Sequence, residues 1–202
     1  AAMDIFGALM NGAMLRPVDV KAVGLRGLCD RLAEDGITIY HSTPTLFRQV
    51  TRELSGRARP EAVRLVVLGG EEVRREDFDA YRAVFAPECL LVNGFGPTES
   101  TVSLQYFANH HTKIARRSVP IGRPVERTHV SLLSPKGQPG QVYGQIALRS
   151  PHVALGYWQN PELTNAAFSQ DPDGLALGAS KNRDGSRVYK TGDMGRLLPD
   201  GN

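Results

Sequence analysis

Ile5, Leu9 and Ala13 stand four residues apart, with Phe6 and Met10 beside them. That spacing predicts an amphipathic helix ending near Asn11-Gly12. MLRPVDV reads as extended, because Pro17 disfavours helix in the residue before it. Leu25, Leu28 and Leu32 repeat the helical spacing, and Gly36 supplies a stop. ITIY is a short β-rich run, and Thr43-Pro44 then opens a helix with Leu46, Phe47 and Val50 as its apolar face. VRLVVLGG is a near-continuous apolar run, the pattern of a strand buried on both faces. A helix from Asp77 to Phe85 and a strand at CLLV follow. Such alternation predicts an α/β layer over residues 1–117, a parallel or mixed sheet with flanking helices. Beyond it the pattern shortens: HVSLLS, GQIALRS and RVYKTGD are strands separated by Gly and Pro turns. One helix opens at Pro161 with Asn160 as its cap. Residues 118–202 therefore read as a small β-rich lobe, with a polar loop from Asp171 to Gly185.

Composition narrows the classes without naming one. The 202 residues are 41% hydrophobic, enough for a real core in one large domain or two lobes. A formal charge of +3, from 24 Lys and Arg against 21 Asp and Glu, is too balanced to argue for nucleic acid or a membrane surface. Arg74-Arg75 and Arg116-Arg117 are short sets that read as solvated surface. No apolar run is long enough to span a bilayer. Cys29 and Cys89 sit among apolar residues, far apart and without ligand spacing. They read as reduced, buried thiols of a cytoplasmic protein, not as zinc ligands. The chain opens inside a helical pattern and closes on LLPDGN, a turn signal between strands, so it reads as an internal piece of a longer protein.

In α/β sheets, ligands bind beyond the carboxyl ends of the strands. Two Gly-rich segments stand there: Gly69-Gly70-Glu71 after RLVVL, and Asn93-Gly94-Phe95-Gly96 after CLLV. Glycine lets a ligand approach the backbone. Phe95 offers a flat face to a base. Thr98 and Glu99 offer a hydroxyl and a carboxylate, hard oxygen donors suited to Mg²⁺ and phosphate. Composition alone slightly favours a tight Gly-Pro turn with a capping threonine. Glu71 and Glu72 equally fit a charge pair at a helix N-terminus. No G-x-G-x-x-G follows a first strand, which disfavours an NAD-type domain.

In combination, NGFGPTE closely resembles the N-x-Y-G-P-T-E motif of adenylation domains in nonribosomal peptide synthetases. These belong to the acyl-adenylate-forming, AMP-binding superfamily. GQIALRSPHVALGYWQNPELTNAAF resembles the family's GELxIxGxxVAxGYxxxPELTxxxF block, and YKTGDM resembles YRTGDL, in the family's order. ITIYHSTPTLFR and VLGGE are similar too. The resemblance spans essentially the whole chain. It implies part of the large N-terminal subdomain of an adenylate-forming enzyme, with the β-rich lobe a distorted barrel. The implied reaction joins an amino or related carboxylic acid to ATP and then passes the acyl group to a phosphopantetheine thiol on a partner carrier domain.

Roles follow from the resemblance position by position. Phe95, where Tyr is commoner, would stack on adenine. Asn93 would hydrogen-bond the adenine amino group, with Gly94 at the pocket wall. Thr98 would contact phosphate, and Glu99 would hold Mg²⁺. Asp193 would accept both ribose hydroxyls. Gly69, Gly70 and Glu71 would line the adenine and acyl side. The acyl pocket falls on Met3, His41, Val67, Gly69, Gly94, Val102 and Ser103; the small Gly69 and Gly94 suggest room for a sizeable side chain. The family's phosphate loop, its substrate-amine aspartate and its C-terminal lysine are not in the chain, and Lys190 replaces a family arginine. The chain alone is therefore expected to form no acyl-adenylate. A stand-alone acyl- or aryl-CoA ligase and a non-catalytic nucleotide-binding module remain as rivals.

Overall fold

A computed structural model describes residues 2–170 and 185–202. The loop expected from Asp171 lies outside the described residues up to position 184. In chain order the elements are α1 (Ala2–Leu9), α2 (Val20–Glu34), β1 (Ile39–Ser42), α3 (Pro44–Leu54), β2 (Leu65–Gly69), α4 (Arg75–Val84), β3 (Leu90–Phe95), β4 (Leu104–Ala108), β5 (Arg123–Pro124), β6 (His129–Leu133), β7 (Tyr143–Ser150), α5 (Pro161–Ala167), β8 (Phe168–Gln170) and β9 (Arg187–Arg196). One sheet has the order β1-β2-β3-β4-β5, the other β6-β7-β9-β8. The first is mixed: β1 and β2 are parallel, β4 and β5 antiparallel. The chain forms two compact units, Ala1–Val92 with Phe107–Val119, and Asn93–Tyr106 with Pro120–Asn202. The segment carrying the NGFGPTE motif thus belongs to the second unit.

In the first unit, β1, α3 and β2 make a parallel crossover. Thr43 caps α3, its hydroxyl accepting from the Leu46 amide at 3.4 Å, and Pro44 fits the first turn. Phe47, Val50, Thr51 and Leu54 form the buried stripe of α3. Phe47 stacks on Phe85 at 6.1 Å, and Tyr81 contacts both Phe78 and Phe85. Asp19 caps α2 through the Lys21 and Ala22 amides. Asp77 is fully buried and accepts from Arg48 at 2.7 and 2.9 Å and from the Arg74 amide at 2.7 Å. Three charge-assisted bonds compensate the desolvation of that carboxylate. Both cysteines are buried free thiols, and burial pushes each up to about 11.

Two expectations change here. β2 is not buried on both faces: Val66 and Leu68 are buried, whereas Leu65, Val67 and Gly69 are half-buried. A continuous apolar run does not state how far neighbouring elements cover the second face. The helix α1 forms where expected, ending at Leu9 before the turn at Asn11-Gly12, but Ile5, Phe6, Leu9 and Met10 remain exposed.

In the second unit every pairing in the β6-β7-β9-β8 sheet is antiparallel. Its core is Leu104, Ile146, Leu148, Val153, Phe168 and Tyr189. The β7–β9 ladder slips at YKTGD. Lys190 pairs with Ala147 and Met194 with Gln145, so Thr191, Gly192 and Asp193 all stand opposite Ile146. Gly192 takes a φ of 84°, and the Thr191 hydroxyl donates to the Ile146 carbonyl at 3.0 Å. Bulges of this kind re-aim side chains.

Candidate functional site

The strand β3 runs further than expected. Asn93, Gly94 and Phe95 are its last residues rather than the start of a loop, because the ladder continues through them. Asn93 is 3% exposed and its amide nitrogen donates to the Pro120 carbonyl at 2.9 Å. An adenine amino group would need the other atom, the amide oxygen. Phe95 is half-buried, packed against the Leu104–Tyr189 core. Its carbonyl accepts from the Ser103 amide at 2.9 Å, closing a loop over residues 96–102. Thr101 turns that loop with a φ of 56°. Gly96 is indispensable to it: a Cβ there would stand 1.6 Å from the Thr101 carbonyl oxygen.

The closed loop displays Thr98, which is exposed, and Glu99, which is half-buried. The Glu99 backbone carbonyl accepts from the Ala154 amide at 2.7 Å, and its carboxylate accepts from the Tyr157 hydroxyl at 2.7 Å. The Tyr157 bond holds the Glu99 carboxyl below its ordinary value against the opposing effect of burial, and that bond in turn raises the Tyr157 phenol. Burial, and then bonding to Tyr157 and Glu99, raises Tyr189 as well. Phe168 lies between the two tyrosine rings, 5.3 Å from Tyr157 and 4.9 Å from Tyr189.

The GYWQNPELT stretch serves this arrangement. The Tyr157 amide donates to the Thr164 hydroxyl at 2.9 Å, which donates to the Asn160 carbonyl at 2.7 Å. The Asn160 side chain caps α5 through the Leu163 amide. Tyr157 was not among the residues singled out from sequence; its place in the GYW block was the available signal. Asp193 is exposed on the β9 bulge, its amide donating to the Thr191 hydroxyl. Val102 is half-buried. Ser103 is 1% exposed, with its hydroxyl on that of Ser100 at 2.9 Å. A cavity of about 600 Å³ in this unit is lined by Leu104, Ile121, Val130, Ile146, Arg149 and Leu197 among others, and by none of the predicted site residues.

The first unit carries a separate group. Gly69 ends β2, and Gly70 follows with a φ of 82°. The Glu71 carboxylate accepts from the Thr45 amide at 3.1 Å and from its hydroxyl at 2.5 Å. Glu71 therefore sits on the first turn of α3, where a negative charge is favourable. His41 lies within β1 and pairs in register with Val67. Parallel register partners share a face, and Gly69, two residues on, shares it too. On that same face the His41 ring donates through Nδ1 to Asp4 at 2.6 Å. Met3 is 42% exposed beside Asp4 on α1.

Among the described residues no group of three or more His, Cys, Asp or Glu side chains is placed to hold a metal, and no helix is long and apolar enough to cross a membrane. The profile of the AMP-binding enzyme family matches residues 1–158. The chain belongs to that family, whose members are adenylate-forming ligases. It is of the adenylation-domain type found in nonribosomal peptide synthetases. Surfactin synthase subunit 2 of Bacillus subtilis (strain 168) is 32% identical over 98% of this chain and 5% of its own length. Bacitracin synthase 2 of Bacillus licheniformis is 30% identical over 100% and 8%. The solved nonribosomal peptide synthetase FmoA3 (S1046A), in its AMPPNP-bound form, superposes with a TM-score of 0.81 at 30% identity, over 98% of this chain and 21% of that one. The chain thus spans less than a tenth of the length of these curated relatives.

Proposed function

We propose that the protein containing this segment activates an amino or related carboxylic acid with ATP and loads the acyl group onto the phosphopantetheine thiol of a carrier domain. The observation that carries this reading is the Glu99 carboxylate beside Thr98, oriented by Tyr157 and presented on a closed loop at the end of β3. One carboxylate and one hydroxyl are a donor set that fits Mg²⁺, which is commonly held by one or two carboxylates with water and substrate phosphates. Bound Mg²⁺ would offset charge developing on the departing pyrophosphate. In this reading Phe95 supplies a face for adenine, the Asn93 amide oxygen accepts from its amino group, and Asp193 takes the ribose hydroxyls. The AMPPNP-bound form of FmoA3 supports a nucleotide as the ligand. Gly69, Gly70 and Glu71 are the adenine- and acyl-side candidates, and Met3, His41, Val67, Gly69, Gly94, Val102 and Ser103 are the acyl-pocket candidates.

The test is Glu99→Gln in a complete adenylation domain carrying these residues, read by acid-dependent ATP–pyrophosphate exchange. Loss of one preorganised charge contact of this kind costs roughly 100-fold or more in rate. An unchanged rate would favour a non-catalytic nucleotide-binding module. Acyl transfer to free coenzyme A, with none to a carrier thiol, would favour the CoA-ligase alternative.

A further inference from the structure

The strap from Ala154 to Tyr157 holds Glu99 twice. The Ala154 amide donates to the Glu99 backbone carbonyl at 2.7 Å, and the Tyr157 hydroxyl donates to the carboxylate at 2.7 Å. Between these two contacts, the Arg187 guanidinium of β9 donates to the Leu155 carbonyl at 2.7 Å. Packing of the neighbouring large side chains does little to hold the strap, since Leu155 is 79% exposed and Trp158 90%. The place of Tyr157 therefore rests on hydrogen bonds and on its edge-on contact with Phe168.

One hydroxyl on α5 secures the Tyr157 backbone. Thr164 Oγ1 accepts from the Tyr157 amide at 2.9 Å and donates to the Asn160 carbonyl at 2.7 Å, so it acts as acceptor and donor at once. The Asn160 side chain caps the same helix through the Leu163 amide at 3.0 Å. Gly156 takes a φ of 147°, and a Cβ there would lie 2.4 Å from Thr164 Cγ2 and 2.9 Å from Thr164 Oγ1. Glycine thus lets the strap pass directly against Thr164. Contacts run from α5 through Thr164 and Tyr157 to the Glu99 carboxylate.

We infer that Thr164 is a positioning residue for Glu99, acting through the Tyr157 backbone to place the Tyr157 hydroxyl on the carboxylate. The inference rests on the adenylation reading above, in which Glu99 holds Mg²⁺. Thr164→Val keeps the branched shape but can neither accept nor donate, whereas Thr164→Ser can do both. A role confined to the stability of α5 would lower the unfolding temperature of Thr164→Val and leave the metal response untouched.

The experiment uses a complete adenylation domain carrying these residues and takes two readouts. One is the Mg²⁺ concentration for half-maximal acid-dependent pyrophosphate exchange. The other is the Kd for the Mn²⁺ complex of AMPPNP, measured by electron paramagnetic resonance. Thr164→Val should raise both about three- to fivefold, less than the roughly tenfold or more carried by a group that touches a metal ligand directly. KM for the acid should stay unchanged, and Thr164→Ser should return both readouts to the parent values. Added to Tyr157→Phe, Thr164→Val should move neither readout further, because the hydroxyl it positions is already gone. Thr164→Ala is the second variant should valine impair folding. Additive effects in the double variant, or readouts unmoved in Thr164→Val and Thr164→Ala, overturn the Thr164 role alone. A parent domain with no acid-dependent exchange overturns the adenylation reading, and the Mn²⁺ measurement then decides the Thr164 role by itself.

Discussion

Gly96→Ala tests whether the closed loop after β3 is what presents Thr98 and Glu99. The Gly96 backbone does not require glycine by its φ, so the added methyl is the whole perturbation. Its Cβ would lie 1.6 Å from the Thr101 carbonyl oxygen, 2.6 Å from that carbonyl carbon and 2.7 Å from Val102 Cα. All three are backbone atoms, so no rotamer change relieves the clash. Non-bonded heavy atoms sit at about 3.5 Å or more, which requires the two limbs of the loop to separate by about 2 Å. That movement breaks the bond from the Ser103 amide to the Phe95 carbonyl and displaces Glu99 from Tyr157. A misplacement of about 1 Å can cost on the order of 100-fold in rate. Overpacking of this kind also costs about 1–3 kcal/mol. The assay is acid-dependent pyrophosphate exchange by the complete adenylation domain, with thermal unfolding alongside. The expected result is a fall of about 100-fold with a modest loss of stability. Gly137→Ala is the control: its φ of 77° strains an alanine in open space, with nothing within 4 Å, so it should cost stability and leave exchange intact. Exchange by Gly96→Ala close to that of the parent would refute the role given to the loop.

Other consequences follow from single contacts. Tyr157→Phe should raise the Mg²⁺ concentration needed for half-maximal exchange several-fold while leaving KM for the acid alone; an unchanged Mg²⁺ titration would count against Tyr157 as the group that orients Glu99. Arg48→Ala leaves the buried Asp77 carboxylate without its bidentate partner and should cost about 3–5 kcal/mol in urea unfolding; a loss below about 1 kcal/mol would show that water or the Arg74 amide suffices. His110, edge-on to Tyr81 at 4.9 Å, has a buried Nε2 without a hydrogen-bond partner among the described residues. Burial, then the charge of Arg82, lowers its pKa from 6.5. Below that value the unfolded chain binds the proton more readily, so stability is full at higher pH and declines as pH falls through 6.5 towards the lower folded value. His110→Phe should flatten that part of the stability–pH curve; an unchanged slope would assign it to other groups.

Much of the architecture is written locally in the chain. Thr43-Pro44 and Asn160-Pro161 specify two helix starts, because a hydroxyl or amide cap and a proline at the first turn act within a few residues. Apolar spacing locates Phe47 and Val50 on the buried stripe of α3 for the same reason. The three ordered motifs pointed to the family, and the family profile agrees. Tertiary structure decided what depends on contacts between distant residues. Whether Val67 is covered, where β3 ends, and how YKTGD bulges against Ile146 depend on neighbouring strands. Tyr157 meets Glu99 across 58 positions, Glu71 meets Thr45 across 26, and His41 meets Asp4 across 37. Spacing along a chain carries a helical or strand period over a few residues only. Which polar groups meet at longer range is set by how the sheets and helices pack, and here that packing gave Glu99 and His41 their partners.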